Sequence, residues 1–199
     1  MTQESISSMS TRWAALTAGL VFILAAILIV LFLTLGEPFG TLNDLANGIA
    51  GMLCGLLAWM LFTQHPLKPP LLGQLTVALA FIGALLVVTG TVLVVLRITG
   101  AVLAGWYTAV GNALIGIWLA VFSYSVLPTS ALPRNLCVLG RVTGILMAVG
   151  LVALPAIVAR TDSMESMAWY LNLAFLGVVG AYILFPVWAI WLGRNILQR

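Results

Sequence analysis

Residues 41–63 read TLNDLANGIAGMLCGLLAWMLFT. From Leu42 to Thr63 the stretch is apolar enough to cross a bilayer, because a helix needs about 20 predominantly apolar residues to traverse a ~30 Å hydrocarbon core. Within it Asn47, Gly51, Gly55 and Trp59 recur at every fourth position, so on a helix they form one narrow stripe. Small residues in such a stripe let helix backbones approach closely where lipid supplies no hydrophobic drive for association. The pattern returns 65 positions later as Asn112, Gly116, Ala120 and Tyr124, again carboxamide, small, small, aromatic on an apolar run. The two stripes predict a helical bundle packed through Gly51, Gly55, Gly116 and Ala120, and they suggest related helical hairpins.

The rest of the chain agrees with a membrane environment. Of 199 residues, 63% are hydrophobic and only 7% charged, and the mean hydropathy is +1.19. Soluble domains are roughly half apolar and a quarter charged. Uninterrupted apolar runs argue for helices over the alternating strands of a barrel. The fold class expected is therefore all-α, a polytopic six-helix transmembrane bundle. The net charge of +3 is spread singly over loops and forms no patch, which argues against nucleic acid as a partner.

Six spans are expected at 13–35, 42–63, 72–96, 101–127, 138–159 and 167–192, within one transmembrane domain covering 13–193. A polar segment, 1–12, precedes them, and a short basic tail, 194–199, follows. The first run exceeds the 7 to 15 residues of a signal-peptide core and lacks a small-x-small cleavage pattern, so it reads as an uncleaved span. Short loops rich in Gly and Pro join the spans. Gly36 and Gly100 end spans one and three at a similar offset to the stripes, which extends the pattern toward three hairpins.

Arg12, Lys68, Arg134, Arg141, Arg194 and Arg199 fall on the side of the termini, and only Arg97 and Arg160 on the other. Cytoplasmic segments carry the excess of Lys and Arg, so both termini are expected in the cytoplasm. Short loops and an uncleaved first span fit a bacterial inner membrane. Trp106, Trp169, Trp59, Trp188 and Trp191 lie near span ends, where aromatic belts form. Trp118 and Tyr182 fall near the middle, and the Tyr182 hydroxyl there requires a partner. Pro155 and Pro186 should kink spans five and six.

Candidate functional positions are few. Asn47, Asn112 and Asn172 lie at matching depth in the even spans, and Asn43 and Asp44 sit one turn above Asn47. If the even helices surround a common axis, these side chains could line a polar pocket for a small neutral solute. Carboxamides also serve as interhelical glue, at ~0.6 to 2 kcal/mol per bond. No catalytic residues are expected: the single His65 lies in a Pro-rich loop, no Lys lies in a span, and no carboxylate lies near the midplane. Cys54 and Cys137 are isolated in apolar settings, so neither a metal site nor a cofactor is expected.

The sequence is thus read as a non-enzymatic integral membrane protein, a small packing or accessory component associating with itself or another membrane protein. The competing reading is a channel or facilitator for a small uncharged solute, entered past the asparagines.

Overall fold

The computed structural model describes residues 3–165 and 167–196, with side chains from Ser8 onward. Those residues are predominantly helical, with no strand among them. Six helices are long and apolar enough to span a membrane. Such an environment leaves the backbone no water to bond, and a helix satisfies its own N–H and C=O groups.

The first four spans are continuous: α1 (Gln3–Leu35), α2 (Phe39–Gln64), α3 (Pro70–Val95) and α4 (Ala101–Val126). The polar N-terminal segment is helical from Gln3 and extends span one. Span five is α5 (Arg134–Ala148), a 3-10 turn (Val149–Ala153) and α6 (Leu154–Val158). Span six is a 3-10 turn (Trp169–Leu173), α7 (Ala174–Val179), a π turn (Gly180–Leu184) and α8 (Phe185–Asn195). The kinks expected at Pro155 and Pro186 therefore take the form of altered helical turns just before each proline. A proline has no N–H to return to the preceding turn. In span six, the Phe185 N–H instead reaches back five residues to the Gly180 carbonyl.

Successive spans pack side by side, and α8 returns to α1 to close the ring. Spans two and four are the most enclosed, at 56% and 61% buried, against 28% and 39% for spans one and three. Six antiparallel passes put both termini on one face, called here the terminal face, opposite a far face. Odd spans end on the far face at left-handed residues, Gly36 (φ +80°), Arg97 (φ 56°) and Arg160 (φ 51°). Spans three and five share the same stop, with Ile98 N–H bonded to Leu93 O at 2.8 Å and Thr161 N–H to Ala156 O at 2.9 Å. These six-to-one bonds are Schellman closures. The residue corresponding to Gly36 is thus Arg97, whereas Gly100 has extended backbone and precedes α4.

The packing faces meet within the chain. A Cβ on Gly51 would lie 3.0 Å from Val87 of α3, and one on Gly55 would touch Ala84 at 3.4 Å. A Cβ on Gly116 would lie 2.7 Å from the Gly144 carbonyl of α5, whose own missing Cβ faces Ala120. Two glycines outside the predicted stripes close the ring. Gly19 of α1 lies against Ile190 and the Pro186 carbonyl, and Gly193 of α8 lies against Leu16 and the Arg12 carbonyl.

Large rings fill the centre. Phe122 and Trp118 stack at 5.8 Å, Trp118 meets Trp188 edge-on at 6.5 Å, and Phe185 lies 5.7 Å from Trp188 and 5.0 Å from Phe22. Trp188 and Trp106 are buried, not placed in an interfacial belt as their positions near span ends had suggested. Trp188 faces Gly140, which leaves room for the indole. Trp106 donates from Nε1 to the Thr161 carbonyl at 3.2 Å. Trp13, Trp59, Tyr124 and Trp169 are at least half exposed, as belt residues would be.

Candidate functional site

Asn43 and Asn47 are one helical turn apart on the buried side of α2. Asn43 Nδ2 donates to the Ala25 carbonyl of α1 at 2.7 Å, and Asn47 Nδ2 donates to Asn43 Oδ1 at 3.1 Å. The Tyr182 hydroxyl of the π turn donates to Asn47 Oδ1 at 2.7 Å. The mid-span tyrosine thus finds its partner in the asparagine singled out from the sequence. The chain of bonds joins spans one, two and six, and Phe22 closes on Tyr182 with ring centroids 6.0 Å apart. Each carboxamide oxygen accepts from the next donor, so the polar groups satisfy one another within an apolar setting.

The remaining candidates lie apart from this junction. Asp44 is partly exposed, and its backbone carbonyl accepts from Thr91 Oγ1 of α3 at 2.8 Å. Asn112 is 6% exposed and its Oδ1 has no hydrogen-bond partner. Asn172 is exposed, and its Nδ2 donates to the Trp169 carbonyl in its own 3-10 turn at 2.9 Å. Asn172 therefore does not join Asn47 and Asn112 in the pocket expected of the three asparagines. In span six Gly180 and Trp188 face inward while Asn172 faces out.

A second polar cluster escaped the sequence reading. Near the terminal face, Trp188 Nε1 lies 2.7 Å from where a Cβ on Gly140 would sit, with Ser123 Oγ closer still. Neither atom has a hydrogen-bond partner, and Thr143 Oγ1 on the same helix also lacks one. Serine and threonine are common inside membrane helices, where they bond to their own backbone. Their sequence signal is therefore weak.

On the outside of the junction a groove of about 460 Å³ runs between spans one and six. Tyr182 and Pro186 form part of its wall, and Arg194 stands at the terminal-face end. Far-face contacts are better paired. Asp162 accepts from the N–H groups of Gly100 at 2.6 Å and Leu103 at 3.0 Å, which ties loop five, the connection between spans five and six, to the first turn of α4. Its charge also complements the positive helix end. Among the described residues no three His, Cys, Asp or Glu side chains gather where they could hold a metal ion.

Fold and junction define a class: an all-α chain of six helices compatible with an integral membrane protein, its interior polar groups placed at helix contacts. Comparison with protein-family models, with curated proteins and with solved structures finds no match to this chain.

Proposed function

We propose that this chain is a non-enzymatic integral membrane protein that serves as a small packing or accessory component of a membrane assembly. It acts through its lipid-facing sides. The observation that carries this reading is the bonded series Tyr182–Asn47–Asn43–Ala25 carbonyl, which uses the most polar interior side chains as ties between spans one, two and six. The small-residue stripes are likewise occupied by neighbouring helices of the same chain. Both leave the outer surface as the place for partners. We place the protein in a bacterial inner membrane with both termini cytoplasmic, on the strength of its basic terminal face.

The test is photo-crosslinking in native membranes from a probe at Leu24, an exposed apolar position on α1. A discrete protein adduct is expected, and lipid adducts alone would count against an assembly role. Asn112 favours the second reading, a facilitator for a small neutral solute, because its buried carbonyl is free to accept a bond. Reconstituted vesicles distinguish the two. Swelling in glycerol or urea no faster than empty vesicles supports the accessory role, whereas faster swelling abolished by Asn112→Leu establishes the facilitator.

A further inference from the structure

The seam between α1 and α8 combines three features that belong together. It carries a lateral groove, lined by Ile23, Ile183, Val187, Ile190 and Trp191, with Arg194 at its end. From Tyr182 to Arg194 span six advances twelve residues, or ~18 Å at the helical rise. That is close to half of a ~30 Å hydrocarbon core, the depth of a single leaflet.

The charged end is doubled. Gly193 packs against the Arg12 carbonyl, with 3.1 Å between that oxygen and an added Cβ, so Arg194 follows directly on the residue that meets the Arg12 backbone on the terminal face. The Arg12 guanidinium lies 5.1 Å over the ring of Trp13, which is 53% exposed. Arg12 Nε is itself buried and has no hydrogen-bond partner. Of the five acids, Glu37, Asp44, Asp162 and Glu165 fall on the far face. The exception is Glu4, two turns before Arg12, whose side chain lies outside the described ones.

We propose that this groove holds one acyl chain of an anionic phospholipid, with its phosphate held between Arg194 and Arg12. An apolar trough alone would accept any lipid. The two arginines select among them, because guanidinium groups bind phosphate oxygens in charge-assisted pairs. Trp13 and Trp191 flank the headgroup level, where indoles favour the interface. Tyr182 stands at the deep end, so the bound chain presses on the residue that ties span six to Asn47. The lipid thereby fills the seam that closes the ring of helices.

The inference rests only on the membrane-embedded part of the proposed function. Failure to partition into membranes would overturn that part. A protein that stays in membranes without lipid selectivity would overturn this inference alone.

Purified protein in a neutral detergent is titrated with phosphatidylglycerol and with phosphatidylcholine of the same acyl chains, binding being read by native mass spectrometry. Wild type is expected to prefer phosphatidylglycerol by about fivefold for each arginine. Arg194→Gln and Arg12→Gln should each remove their share, and the double variant should bind both lipids equally. Glycerol phosphate, the headgroup without a chain, should not displace bound lipid. Val187→Trp, at a half-exposed position on the groove, should reduce retention of both lipids whatever the headgroup. Equal binding of the two lipids by wild type, an unchanged preference in the double variant, displacement by glycerol phosphate, or full retention by Val187→Trp would each overturn the proposal.

Discussion

Tyr182 shows how much depends on one hydroxyl. Replacing it with Phe keeps the ring against Phe22 but leaves Asn47 Oδ1 without its 2.7 Å donor. Interhelical bonds of this kind contribute ~0.6 to 1.7 kcal/mol in membranes. Tyr182→Phe should therefore lower stability by about 1 kcal/mol, and Asn47→Leu by more, since it strands two partners. In a double-mutant cycle, read by thermal unfolding in detergent, the two losses should be less than additive; additive losses would separate the residues. Glycines offer a contrast. Gly116→Ala would drive a methyl toward Met147 and the Gly144 carbonyl, whereas nothing lies within 4 Å of a Cβ on Gly105. The first substitution should destabilise by about 1–3 kcal/mol, and the second should stabilise by roughly 0.5–1 kcal/mol, in the same unfolding assay. Asn47 and the Gly116 face stood out in the sequence because polar and small residues are conspicuous on an apolar helix. The Tyr182–Asn47 bond was not legible, since it joins residues far apart in the chain whose facing depends on the π turn.

At the scale of single elements, the far-face stops carry a measurable strain. Arg97 and Arg160 adopt left-handed backbone that glycine adopts freely, at a cost of about 1–2 kcal/mol for an ordinary residue. Arg160→Gly should raise the unfolding temperature; a fall would show that the arginine side chain makes a compensating contact. Loop five has its own anchor. Asp162→Ala removes both acceptors at the start of α4 and should cost about 1 kcal/mol, with faster proteolysis of residues 159–168 as the second readout. Hydropathy located each helix well because length and apolarity are strong signals. It could not locate the 3-10 and π turns, because a proline reports a lost bond without specifying how the chain accommodates it.

For the molecule as a whole, spans two and four, which carry the two stripes, are the most enclosed, whereas span six is no more buried than span five. The closing seam was not legible. Gly19 and Gly193 are single glycines at opposite ends of the chain, and nothing local marks them as partners. The central claim is that the asparagine-bearing interior is sealed by helix contacts and that the protein acts at its surface. Cysteine accessibility tests it most directly, and the background is low because Cys54 and Cys137 are buried. Single cysteines are placed at Asn47 in the interior, at Ser130 on the terminal face and at Arg97 on the far face, then exposed to a membrane-impermeant maleimide in intact and opened vesicles. The account predicts no labelling at position 47 from either side, with 130 and 97 labelled from opposite sides. Rapid labelling at position 47 would reveal a water-filled path to the asparagines and would contradict it.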